Sequence, residues 1–230
     1  MSRDTGTILL IGASRGLGLG LVREYLHRGW QVVATARDPA RAKELAGLAD
    51  KHGGKLRLEA LDVTRPDDAA ALAKKLSGTK LDVLFVVAGQ ASQGVAPIQD
   101  ATPEQAAAEF VTNSYAPPVV AEALLPLVKP DGTVVFMTSQ LGSIERTQGG
   151  MELYNASKAA LNMLGVNFAL RHDKQRVLLM HPGWVKTDMG GSNAPLEVET
   201  SVKGMADTIE KRAKGKGISY VDYANAELPW

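Results

Sequence analysis

The feature that most constrains this chain is a repeated alternation: a short apolar run, a turn, then a helical pattern. Runs rich in Val, Ile and Leu lie at 7–11, 31–35, 56–61, 82–88, 133–137 and 176–180. Their hydrophobicity is nearly continuous, as expected of strands covered on both faces. Between them, apolar periodicity predicts helices over 16–28, 39–51, 66–76, 103–128 and 155–172. A last helix over 197–214 and a short strand over 218–222 close the pattern. Strands alternating with helices imply an α/β fold, a doubly wound parallel sheet of the Rossmann type in three α/β/α layers. The 230 residues suit a single domain spanning 1–230 and can bury a substantial core. No internal repeat or low-complexity linker interrupts them.

Local signals refine the pattern. Thr64 with Asp67 reads as a capping box. Thr102 followed by Pro103 reads as an N-cap with proline at the first helical position. Pro117, Pro118 and Pro126 fall inside the fourth helical pattern and predict a break or kink there.

Composition removes several function classes. Lys and Arg total 26 against 25 Asp and Glu, which leaves no electrostatic footprint for nucleic acid or an anionic membrane. The lack of cysteine excludes disulfides, thiol nucleophiles and cysteine-ligated metals. His27, His52, His172 and His181 have no metal-ligand spacing, so no metal site is expected. Met1 to Thr7 is polar, no signal peptide precedes the first apolar run, and no apolar stretch is long enough for a bilayer. A cytoplasmic location is the expectation.

Ligands of such sheets bind outside the carboxyl ends of the strands, so the turns there carry the chemistry. After the first strand comes Gly12-Ala13-Ser14-Arg15-Gly16-Leu17-Gly18. Glycines let the backbone turn tightly and let a pyrophosphate approach the next helix's N-terminus. The spacing is Gly-x-x-x-Gly-x-Gly, unlike the Gly-x-Gly-x-x-Gly dinucleotide fingerprint. A plain strand-to-helix turn is the alternative, but the position directly after strand one favours phosphate binding. The second strand ends Thr35-Ala36-Arg37, with no acidic residue at its tip to bond ribose hydroxyls and select NAD. Arg37 and Arg15 can instead hold a 2′-phosphate by charged hydrogen bonds, or be two solvated arginines. Asp62 can accept from an adenine amino group, or bond nearby backbone as loop aspartates do.

Tyr154 and Lys158 stand four apart in a helical pattern and should project from one face. A free tyrosine has a pKa of about 10 and is a poor acid–base catalyst at neutral pH. A neighbouring ammonium favours the phenolate, and lowering the pKa by roughly three units takes about 4 kcal/mol. Lys158 and a nicotinamide's positive charge together could supply it. Ser139 follows the fifth strand, where a substrate carbonyl would lie. Asn113 sits at the break in the fourth helical pattern, where irregular backbone can hold a water.

This set resembles the short-chain dehydrogenase/reductase family over nearly the whole chain. The matching residues are the turn 12–18, Asp62-Val63, Ala88-Gly89, Asn113, Ser139, Tyr154-Asn155-Ala156-Ser157-Lys158 and Pro182-Gly183-Trp184-Val185-Lys186-Thr187. The ending from Tyr220 to Trp230 is similar to the branch of C-factor and sniffer-type carbonyl reductases. The resemblance implies a cofactor, NADP(H), held by Gly12, Ser14, Arg15, Gly16, Leu17, Gly18, Arg37, Asp62, Val63, Ala88 and Gly89. Pro182, Gly183, Val185 and Thr187 would line the nicotinamide. It implies Tyr154 as general acid in reduction and base in oxidation. Lys158 would bond the nicotinamide ribose and lower the tyrosine's pKa. Ser139 would bond the substrate oxygen, and Asn113 would hold a water relaying protons toward Lys158.

Three departures stand out. Val86-Val87 replace the family's Asn-Asn before Ala88-Gly89; the stretch from Ser139 to Tyr154 is slightly longer than usual and carries Gly149-Gly150; and the lid region 188–195 is short. A short lid implies an open, permissive site. Gln90, Leu141, Met151, Trp184 and Met189 are candidates for its wall. The expected activity is NADPH-dependent reduction of aldehydes or ketones. The alternative is a dinucleotide-binding signalling protein of C-factor type, which would have no chemical need for the acid–base set. An epimerase or dehydratase would need a larger substrate domain. The helical patterns over 103–128 and 155–172 resemble those that pair between subunits in this family, and small residues along 155–172 would permit close packing, so the resemblance implies a homodimer or homotetramer.

Overall fold

The computed structural model describes residues 5–91 and 97–230, so Met1–Asp4 of the polar start lie outside it. Seven strands form one parallel sheet: β1 (Thr7–Ile11), β2 (Gln31–Ala36), β3 (Leu56–Ala60), β4 (Leu81–Val86), β5 (Val128–Met137), β6 (Arg176–His181) and β7 (Gly217–Asp222). Their spatial order is β3-β2-β1-β4-β5-β6-β7, and every neighbouring pair is parallel. The order reverses beside β1, which places the topological switch, and hence the ligand crevice, between β1 and β4.

The helices are α1 (Gly16–His27), α2 (Lys43–His52), α3 (Pro66–Lys75), α4 (Pro103–Phe110), α5 (Ala116–Leu124), α6 (Glu152–Arg171) and α7 (Val198–Arg212). Strand residues alternate in direction. Ile8 and Leu10 of β1 therefore join the core under α1, α2 and α7, while Leu9 and Ile11 join the one under α3, α5 and α6. Both faces are apolar because both are covered, which explains the near-continuous hydrophobic runs. Each buried aliphatic side chain contributes roughly 1.5–3 kcal/mol, so these two layers fix the strand register.

The structure moves some expected boundaries. The second helix begins at Lys43 because Asp38 Oδ1 accepts from the Ala40 and Arg41 N–H groups and makes residues 39–42 a turn. The Thr64–Asp67 capping box does not form. Thr64 donates its hydroxyl to Asp62, and Asp68 takes the Asp62 N–H instead. Thr102 does cap α4, and Gln105 completes a capping box with it. The fourth helical pattern breaks into α4, a π-turn over Val111–Tyr115 and α5. The cause lies downstream, in prolines 117 and 118. Neither has an N–H, so the Asn113 carbonyl has neither an α-type nor a π-type helical donor.

Candidate active site

The turn after β1 is shaped by steric limits that only glycine meets. Gly12 has φ +91°, and a Cβ there would lie 2.9 Å from the Ala88 backbone. A Cβ on Gly18 would lie 2.1 Å from the Gly12 carbonyl oxygen. Arg15 precedes α1 without a side-chain cap, and the first turn of α1 has no acidic residue. The helix thus offers its N–H groups and positive dipole end to an anion.

A groove of about 310 Å³ opens at this turn. Gly12, Ser14, Arg15, Gly16, Leu17 and Gly18 form one wall, with Arg37, Asp62 and Val63 beside them. Ala88 and Gly89 follow β4, and Tyr154, Lys158, Pro182 and Thr187 close the far end. Gln90 and Met189 also line it, whereas Leu141, Met151 and Trp184 do not. The Trp184 indole is occupied in donating to the Gly190 carbonyl at 2.8 Å. Gly183 and Val185 stand behind the wall: Gly183 turns at φ +86° beside Leu196 and Tyr223, and Val185 is buried against Leu196.

The charged residues are differently placed than expected. Arg15 donates to Asp188 across the mouth of the groove at 2.8 Å, with both side chains more than three-quarters exposed. Exposed pairs of this kind contribute about 1 kcal/mol or less, so the guanidinium is readily available to a stronger anion. Asp62 accepts from the N–H and hydroxyl of Thr64. Burial works to raise its pKa, but Thr64, Arg37 and Arg65 prevail and hold it below the ordinary value.

At the far end four segments converge. Asn113 is fully buried and clamps the loop after β4. Its Oδ1 accepts from the Gln90 N–H at 2.8 Å, and its Nδ2 donates to the Gln90 carbonyl at 2.7 Å and to Ser157 Oγ at 3.0 Å. Ser157 in turn donates to the Tyr154 carbonyl at 2.7 Å. Ser139 caps the short 3₁₀ turn Gln140–Gly142 and hydrogen-bonds the Tyr154 phenol. Lys158 is buried, donates to the Met137 carbonyl at 3.0 Å, and holds its ammonium 5.7 Å from the centre of the Tyr154 ring. Tyr154 and Lys158 do share a face of α6.

The electrostatics of the protein alone run against one expectation. Burial pushes the Tyr154 phenol up to about 12; the bond to Ser139 pulls it down, while Glu109 and Tyr220 add to the rise. Burial brings the Lys158 ammonium down to about 8, with Glu109 opposing. Desolvation outweighs the help one weakly held ammonium gives a phenolate. Glu109 was not foreseen from the sequence. It is buried on α4, four residues before Asn113, and acts on both catalytic candidates. The i, i+4 spacing to Asn113 was the available signal. Asp188, one residue beyond the matched stretch, was also missed.

With this geometry in view, comparison with known proteins is specific. Residues 6–197 match the family model for short chain dehydrogenase. The chain is 39% identical to a short-chain dehydrogenase/reductase from Burkholderia multivorans whose crystal structure holds bound NADP. The alignment covers 99% of this chain and 100% of that one, with a TM-score of 0.95. The carbonyl reductase Sniffer of D. melanogaster aligns at 32% identity and a TM-score of 0.88, over 99% of this chain and 100% of that one. C-signal of Myxococcus xanthus is 35% identical over 70% of this chain and 99% of its own length. The chain belongs to the short-chain dehydrogenase family of oxidoreductases, with C-signal and Sniffer among its relatives.

Proposed function

We propose that residues 1–230 work as one domain that reduces aldehydes or ketones to alcohols with NADPH, reversibly, with Tyr154 as the proton donor. The observation that carries this reading is that Tyr154 and Lys158 line the far end of the groove that the glycine turn opens, with Ser139 beside the Tyr154 phenol. The groove fits a dinucleotide phosphate. Side chains at Gly12 or Gly18 would fill the turn, the α1 N-terminus lacks an acidic competitor, and Arg15 and Arg37 stand at the rim. The bound NADP of the Burkholderia relative supports the same choice. The nicotinamide supplies or accepts the hydride.

The protein's own residues manage the proton. Ser139 Oγ positions the substrate oxygen beside the Tyr154 phenol. Tyr154 gives its proton as the oxygen gains charge, and a phenol raised by burial remains protonated across the neutral range. Lys158, buried and readily deprotonated, passes a proton onward. Asn113 would hold the relay water, and its carbonyl, which lacks both an α-type and a π-type helical donor, supports that role. Ala88, Gly89, Pro182, Gly183, Val185 and Thr187 shape the nicotinamide end, and Asp62 and Val63 the adenine end.

The test is NADPH consumption against aldehydes, ketones and diketones, with Tyr154→Phe as control. Turnover lost only in the variant supports the reading. Tight NADPH binding with no turnover on any carbonyl favours a signalling protein of C-factor type. The short segment after Thr187 leads us to expect broad acceptance of small or aromatic carbonyls; restriction to one phosphorylated substrate would count against that. The reading includes a homodimer or homotetramer paired through α6, on which Met163, Leu164 and Leu170 are exposed. A monomer by light scattering at micromolar concentration would overturn the oligomer. A cytoplasmic location completes it, and no helix among the described residues is long and apolar enough to cross a membrane.

A further inference from the structure

Behind Ser139 lies a set of contacts that the chemistry above does not use. The Tyr220 ring is buried on β7, and its hydroxyl donates to the Ser139 carbonyl oxygen at 2.5 Å. That oxygen also accepts from the Gly142 N–H at 2.9 Å. One turn further on, the main-chain oxygen of Trp230 accepts from Ser143 Oγ at 3.3 Å and from the Glu145 N–H at 3.2 Å. The Trp230 ring packs against Tyr220 with centroids 5.5 Å apart and planes tilted by 41°. The Leu228 N–H donates back to the Tyr220 carbonyl at 2.9 Å, so the tail and β7 form one unit. From the other side Asn162 of α6 accepts from Thr138 Oγ1 at 2.7 Å and donates to the Gly142 carbonyl at 3.3 Å. The residues before, at and after Ser139 are thus held from two directions.

We propose that Tyr220, stiffened by Trp230, is a positioning residue for Ser139: it fixes the Ser139 backbone and thereby aims Ser139 Oγ at the Tyr154 phenol and the substrate oxygen. Ser139 follows the last paired residue of β5 by two positions, Met137 being paired to Met180. Beyond that pair, Thr138 N–H still donates to the Met180 carbonyl at 2.9 Å, but the ladder goes no further. The Ser139 backbone is therefore set by what grips its carbonyl, and a side chain placed loosely by a fraction of an ångström loses much of its catalytic effect. The buried phenol supplies that grip from a strand, which is stiffer than a loop. This assignment rests on Ser139 acting at the substrate oxygen.

The experiment is a double-mutant cycle on the intact protein, read by kcat for a carbonyl substrate with NADPH. Tyr220→Phe keeps the ring and its packing against Trp230 and deletes the donor. Alone it should lower kcat about three- to tenfold, the span of one net hydrogen bond, while NADPH affinity by fluorescence stays within about twofold. In the Ser139→Ala background the same change should cost less than about twofold, because nothing is left to aim. Residual rates are read with enzyme in excess over NADPH, so that single turnovers remain measurable. Equal losses in both backgrounds, or no loss in either, would overturn the proposal. If Ser139→Ala alone leaves kcat intact, the role of Ser139 fails and the proposal falls with it. If Ser139→Ala is impaired but the losses are equal, only the role of Tyr220 fails. Should Tyr220→Phe not fold by circular dichroism, Ser143→Ala decides by the same cycle, since it removes one Trp230 contact and leaves Tyr220 in place.

Discussion

The two ends of the groove are built on opposite plans. The phosphate end is local and mostly backbone: seven consecutive residues, three of them glycine, with exposed arginines at the rim. The proposed catalytic end draws Asn113, Ser139, Tyr154 and Lys158 from three separate segments, and buries or half-buries each side chain. The first works through hydrogen-bond donors and charges that face water; the second through groups whose protonation is shifted by desolvation. Substitutions at the first should therefore change affinity and cofactor preference. Those at the second should change turnover, pH dependence and stability.

The largest expected effect is at the catalytic end. Tyr154→Phe should lower turnover by about 10²–10⁴-fold, the usual share of general acid catalysis. NADPH binding by fluorescence should be nearly unchanged. A variant keeping more than about a tenth of the activity, or losing cofactor affinity in step with rate, would erase the contrast between the ends.

Next in size is a stability effect. Lys158 titrates at about 8 in the folded protein against 10.5 ordinarily, a difference on the order of 3 kcal/mol. The sign follows from linkage. Between about pH 8 and 10.5 the unfolded chain binds a proton there that the folded one does not, so this group's contribution to stability rises with pH. At pH 7 the full cost of burying the ammonium is present. Lys158→Met should thus raise the urea midpoint at pH 7 and flatten the rise toward pH 10, while turnover falls. Part of the gain is offset by the lost bond to the Met137 carbonyl. A lower midpoint at pH 7 would show that Lys158 stabilises the fold despite its burial.

At the phosphate end, Arg37→Asp should reverse the preference from NADPH to NADH. A charged hydrogen bond is worth roughly 1.5–3 kcal/mol, about 10- to 150-fold in relative kcat/KM. Equal efficiency with both cofactors in the unmodified protein would remove the premise. The smallest effect is expected at Asp188. Asp188→Asn frees Arg15 from an exposed pair and should tighten NADPH binding only a few-fold, an advantage that salt diminishes. Weaker binding in the variant would mean that Asp188 helps to hold the cofactor rather than competing for Arg15.

Much of this was legible in advance, and unevenly. The parallel sheet, its seven strands and the glycine turn follow from continuous apolar runs and from spacing, because both-face burial and positive φ leave marks on single residues. β5 extends five residues earlier than its apolar run, since Val128–Gly132 joins the sheet through a register shift against β4 that no hydrophobic pattern announces. The break at Asn113 was expected from the prolines, yet its position upstream depends on which carbonyls they leave without donors. The raised Tyr154 phenol and the pairing of Arg15 with Asp188 were not expected.

What the sequence determined by itself is therefore what depends on near neighbours along the chain: element order, the turn that a pyrophosphate can approach, and the shared helix face of Tyr154 and Lys158. What the tertiary structure decided is what depends on the sum of an environment. Desolvation of Tyr154 and Lys158, the field of Glu109 on both, and the grip of Tyr220 on Ser139 each join residues tens of positions apart. Solvation and Coulomb energies are set by distance through space and by how much water is excluded, and neither is written in the spacing of residues along a chain.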